Sequence, residues 1–374
     1  MHPSLDYSRR RFLIGAGAAL MTGASDTALR VDAPVKLPTI DEWIRARAAD
    51  APLALRFRGS TAAECRTWQA EFAAKLRSLL GPHTPPANWK TVVQSSADLN
   101  DHRREELLLT ADGVPPLPVY LLLPKRIDKR RAGVVAVHGH GNYGYHPVAG
   151  RDDLAGVANA ITNANYDYGR QLVRRGYVVA APCLTPFGPR LGTREDSNKN
   201  DPCAIAFIRL QLLGKLLIAE NLRDCLWAVE LLARHERVDP ERLGCVGLSY
   251  GGRMTMLTTA LEPRIRAAVV SGALNVMQER VTVRYSCGAQ IIPGLLNYGD
   301  VPEIGALIAP RPCVWEAGIH DTLVIPRWGD EALTRMRRAY KALDADLQLQ
   351  VDRFEGGHSW SGRLGYPMLE KALG

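Results

Sequence analysis

Seven cysteines occur in the 374 residues, but no two are spaced Cys-x-x-Cys. A zinc ribbon or a thioredoxin-type site needs that spacing, so neither is expected. Internal repeats and low-complexity tracts are also missing, which excludes solenoids and propellers. No basic run is interleaved with aromatics. Lys and Arg outnumber Asp and Glu by 47 to 39, but the arginines are scattered. The net charge of +8 therefore reads as a solubility feature, and no nucleic-acid partner is expected. The charge excess that keeps chains disordered is lacking too: 23% of residues are charged against 46% hydrophobic, ample for a large core.

What is present begins with the cysteines themselves. Cys65, Cys183, Cys203, Cys225, Cys245, Cys287 and Cys313 are odd in number, so at least one thiol stays unpaired. Most lie in apolar runs and read as small buried hydrophobes. At the N-terminus, Ser8-Arg9-Arg10-Arg11-Phe12-Leu13-Ile14 precedes a Gly/Ala-rich stretch that is too short for a permanent anchor. This twin-arginine pattern predicts an export signal over residues 1–33, cut between Ala24 and Ala33, and a periplasmic or secreted product. No other run is long and apolar enough to cross a bilayer.

Residues 34–90 carry Trp43, Ile44 and Ala46, then Trp68, Phe72, Leu76 and Leu79, at helical spacing. They predict a helical N-terminal extension packed on the main domain. Residues 91–374 are expected to form that main domain. There, runs at 106–110 and 119–123 predict a hairpin, and 133–137 is a continuous apolar run of the parallel-strand kind. Strands are expected at 177–181, 243–247, 265–271, 312–317 and 347–351. Helices are expected at 166–175, 214–234, after 249, at 327–343 and at 366–373. Alternation on this scale predicts an α/β fold, a mostly parallel central sheet with helices on both faces.

Chemistry concentrates in Gly247-Leu248-Ser249-Tyr250-Gly251-Gly252, which lies between a strand run and a helical run. That context is a nucleophile elbow: a sharp turn holds the serine hydroxyl above the sheet, with free N–H groups of a helix start beneath it. Serine needs a base, and His358 follows the last strand in Phe354-Glu355-Gly356-Gly357-His358. Asp321, in the loop after the preceding strand, is the candidate to orient that histidine. Glu316, inside the strand run, is its rival and would more readily pair with a basic neighbour. The order Ser249, Asp321, His358 suits the fold. Oxyanion donors are expected from the backbone N–H of Tyr250 and of His140, in His138-Gly139-His140-Gly141 after an early strand. His138, His140 and His146 lack a fourth ligand and a carboxylate at ligand spacing, so no metal and no cofactor are expected.

With these residues in place, the chain resembles the dienelactone-hydrolase-like and acetyl-xylan-esterase-like branch of the α/β-hydrolases over roughly residues 95–374. The resemblance rests on the motifs at 138–141, 176–182, 239–249, 287–290, 308–312 and 354–358. It differs from dienelactone hydrolase in carrying Ser249 where that enzyme has cysteine, and from many relatives in carrying Cys183 after Ala181-Pro182. It implies the α/β-hydrolase fold and a serine esterase acting through an acyl-enzyme, with a small acyl ester or acetylated carbohydrate as substrate. A peptidase or amidase with the same triad, like the catalytic domain of prolyl oligopeptidases, is the rival enzyme reading. A binding protein with a dead site is the non-enzymatic one.

Overall fold

The computed structural model describes residues 37–192, 201–283 and 286–374; the twin-arginine stretch lies outside them. Two helices come first, α1 (Ile40–Ala49) and α2 (Ala62–Leu80), each opened by a capping box, Thr39 with Glu42 and Thr61 with Glu64. Strands β1 (Lys90–Asp98), β2 (His102–Thr110), β3 (Leu117–Pro124) and β4 (Arg131–Val137) follow. Next come α3 (Val157–Ala164), α4 (Tyr168–Arg174), β5 (Val178–Pro182), α5 (Pro202–Leu212), α6 (Leu217–Ala233), β6 (Val238–Leu248), α7 (Tyr250–Leu261) and β7 (Ile265–Ser271). The chain closes with α8 (Met277–Val283), α9 (Val301–Ala306), β8 (Cys313–Gly318), α10 (Pro326–Ala342), β9 (Leu349–Phe354) and α11 (Gly365–Leu373).

Among the described residues, nine strands form one sheet in the order β1-β2-β3-β5-β4-β6-β7-β8-β9. The first three pair antiparallel and β3 joins β5 antiparallel, while β5, β4, β6, β7, β8 and β9 are parallel. Both faces are covered, which is why the central strands are apolar without alternation; Val134 to Val137 are all buried. One face carries α2, α6, α7, α9 and α10, the other α4 and α11.

The mostly parallel sheet and most expected strands are present, with shifted ends. The helix expected at 166–175 starts at Tyr168, and the last strand is displaced to Leu349–Phe354. Helix α5 was not expected. It is apolar nearly all round, and Ile208 and Leu212 stay exposed, as does Leu213 just past its end, so its burial has no helical period to read.

Helix α2 enters the main core through Cys65, Phe72, Leu76 and Leu80. Gln69 Nε2 donates to the carbonyls of Ala306 (3.3 Å) and Ala309 (2.8 Å), and Arg77 donates to the Leu261 carbonyl. The Cys65 thiol faces the Ala339 carbonyl at 3.7 Å.

The chain leaves β4 for β5 on one side of the sheet and later takes β6 on the other side of β4. At such a reversal the connections diverge and leave a crevice at the carboxyl ends of the strands. The loops after β4 and β6, carrying His140 and Ser249, border that crevice.

Candidate active site

Ser249 lies between β6 and α7 with φ 65° and ψ −121°. A non-glycine residue holds that conformation only where its surroundings impose it. Here Ser249 N donates to the Ser271 carbonyl at 2.8 Å, tying the turn to β7. The first turn of α7 presses on β4 so closely that a Cβ on Gly251 would sit 1.9 Å from the Val137 carbonyl oxygen. Only glycine permits that approach, and the serine is thereby raised at the sheet edge.

His358 follows β9, and its Nδ1 lies 2.7 Å from Asp321 Oδ2. The other Asp321 oxygen accepts from Leu323 N at 2.8 Å. With Nδ1–H donating to the carboxylate, Nε2 carries the lone pair, and it has no hydrogen-bond partner among the described residues. The two loops are stitched together: Ile319 N donates to Phe354 O and His320 N to Gly356 O. Gly318 makes this possible, since a Cβ there would lie 2.2 Å from the Gly357 carbonyl oxygen.

Glu316 is placed elsewhere. Its Oε1 accepts from Gly362 N at 2.7 Å and its Oε2 from Ser361 N at 3.2 Å. The expected basic partner is replaced by backbone N–H groups of the segment after His358. Burial pushes its carboxyl up to about 7.

Ser249, His358, His140 and Tyr250 line one open cavity of about 400 Å³, together with Arg253, Asn275, Cys287, Gln290 and Leu323. The His140 ring lies 4.9 Å from that of Tyr250 and 5.4 Å from that of Phe187. Its Nε2 is 2.8 Å from Cys287 Sγ. The buried Tyr250 hydroxyl accepts from Asn221 Nδ2 at 2.8 Å.

His138 and His146 do not join His140. His138 is fully buried; its Nε2 accepts from Leu184 N at 2.9 Å and its Nδ1 donates to Gly139 O at 2.7 Å. Burial lowers it to about 3, so it stays neutral and shapes the loop. His146 Nδ1 bonds the Tyr120 hydroxyl.

Sequence reasoning missed Arg253, a fully buried arginine whose Nη2 donates to Asn275 Oδ1 at 2.5 Å. Burial lowers it to about 10. It stands four residues after Ser249, one turn along α7, and that helical spacing was the available signal.

Residues 214–281 match the model of the prolyl oligopeptidase family, a segment running from α6 through the elbow to α8. A protein of Bacillus subtilis (strain 168) named "Putative hydrolase YtaP" is 27% identical over 301 residues, 78% of this chain and 94% of that one. Among solved structures, a "putative acetyl xylan esterase" of Bacteroides fragilis NCTC 9343 is similar with a TM-score of 0.76 at 17% identity, covering 90% of this chain and 96% of that one. A glucuronoyl esterase from Solibacter usitatus gives 0.62 at 15% identity, covering 83% and 93%.

Proposed function

We propose that this α/β-hydrolase is a serine esterase that cleaves carboxylic esters through an acyl-enzyme on Ser249. One observation carries the reading. The strained Ser249 and the unpartnered Nε2 of an aspartate-held His358 line the same cavity. His358 takes the hydroxyl proton as Ser249 attacks the carbonyl, then passes it to the leaving alkoxide and later activates water. The backbone N–H groups of Tyr250 and His140 hold the oxyanion, each worth about 3 kcal/mol of barrier. Esters of carbohydrates are the favoured substrates. That rests on the likeness in fold to proteins named acetyl xylan and glucuronoyl esterases. Export by the twin-arginine route belongs to the same reading and rests on Arg9 and Arg10. The prolyl oligopeptidase match favours a peptidase as second reading, but it covers little beyond the elbow and its flanking elements.

The test is labelling by a fluorophosphonate probe, followed by turnover of p-nitrophenyl esters, acetylated xylan, a methyl glucuronate ester and peptide anilides. Labelling and ester turnover are expected, both abolished by Ser249→Ala in a folded protein. Turnover of the anilides alone would establish the peptidase reading instead. Absence of labelling would overturn both.

A further inference from the structure

We propose that His140, Cys203 and Cys287 form a binding site for a single zinc ion in the wall of the cavity. Their ligand atoms, an imidazole nitrogen and two Sγ, all lie within 4.8 Å of one another. They come from three separate segments: the loop after β4, the first turn of α5, and the turn before residues 288–290. No short spacing could display such a set, which is why the cysteines appeared unrelated in the sequence.

The donor chemistry selects the ion. Two thiols and an imidazole, without a carboxylate among them, suit zinc and exclude magnesium or calcium, which take oxygen ligands. Two cysteines and a histidine, with one position left for solvent, are an established ligand set for zinc. Tetrahedral zinc holds nitrogen and sulfur roughly 3.5 Å apart, given bonds of about 2.1 and 2.3 Å. The pair at 2.8 Å therefore opens by less than about 1 Å on binding. Both thiols give up their protons to solvent as the two sulfur–zinc bonds form, and no electrons are transferred.

The frame is already built. A Cβ on Gly288 would fall 2.5 Å from the Phe207 Cβ, so α5 and the Cys287 turn are in close contact without any ion. Cys203 and Cys287 are both buried, and the His140 ring is flanked by Phe187 and Tyr250. Other cysteines are accounted for within the core: Cys65 faces Ala339 O, Cys183 faces Phe187 O and Cys245 faces Thr255. The zinc site does not depend on the esterase reading, and a protein that fails to label at Ser249 could still bind the ion.

The experiment uses the full chain, reduced and stripped with a chelator, titrated with Co²⁺ and then Zn²⁺. One equivalent of cobalt is expected to give thiolate-to-metal charge transfer in the near ultraviolet and strong tetrahedral d–d bands, both erased by zinc. Cys203→Ser and Cys287→Ser should each abolish the bands, while Cys65→Ala keeps them. X-ray absorption at the zinc edge on the unaltered chain avoids any folding defect of the variants, and two sulfurs with one or two nitrogen or oxygen neighbours are expected. A shell without sulfur, bands that survive both serine variants, absence of stoichiometric binding, or a Cys203–Cys287 disulfide in the isolated protein would each overturn the site.

Discussion

At the scale of single residues, the two acids near the histidine loop divide two tasks. Asp321 faces Nδ1 of His358, so Asp321→Asn frees the wrong tautomer. Turnover at neutral pH should fall by roughly 10⁴, by analogy with the same change in a trypsin-type triad; steady-state kinetics on the best ester reads this. Glu316 instead bonds backbone, and its effect should be on stability. Its folded value of about 7 lies above its ordinary 4.5, so the folded state holds its proton longer than the unfolded one. The associated stability is full below pH 4.5 and is lost as pH rises through about 7. Glu316→Gln should remove that decline, seen as a flatter Tm against pH between 5 and 7 than the unaltered protein shows. An inactive Glu316→Gln alongside a normal Asp321→Asn would reverse the assignment. Gly318→Ala tests the spacing of the two loops. Its Cβ has no room against Gly357 O, and a displaced His358 should lower kcat by about 10² with KM little changed. The turn at Ser249 and the two residues proposed as its partners could be picked out of the sequence because each is local: a motif, or one residue at the end of a strand. Arg253, Asn221 and the Cys203–Cys287 pairing could not, since their meaning lies in contacts between distant segments.

At the scale of elements, the sheet order places the loops after β4, β6, β8 and β9 along one edge, and every residue proposed for ester cleavage sits in one of them or just beyond it. The parallel strands were readable because burial on both faces makes them continuous apolar runs. Strand β1 was harder to read: it is an edge strand, exposed along most of its length, and Lys90, Gln94, Ser95 and Ser96 give no apolar alternation. Helix α2 shows its period clearly and spends it on the core. Phe72 is fully buried there, so Phe72→Ala should destabilise by about 3–5 kcal/mol in denaturant unfolding. Fluorophosphonate labelling should persist where the variant is folded, because no site residue belongs to α2.

At the scale of the whole molecule, the described residues build one sheet with cores on both faces, and nothing in the arithmetic of the chain's +8 charge bears on that fold. Replacing Arg9 and Arg10 by lysine tests where the molecule is delivered. In a host with a twin-arginine pathway, activity should move from the periplasm to the cytoplasm, as fractionation would show. The closure of α2 on Ala306, Ala309 and Ala339 carries a consequence in time. During synthesis the helix leaves the ribosome more than two hundred residues ahead of these acceptors. Its apolar stripe waits uncovered until the last third of the chain has emerged, and loop closure over that separation is slow. A nascent chain stalled before Ala306 should be digested readily by protease at α2, whereas one extended past α10 should resist. Until then the growing chain is a natural client for a holding chaperone.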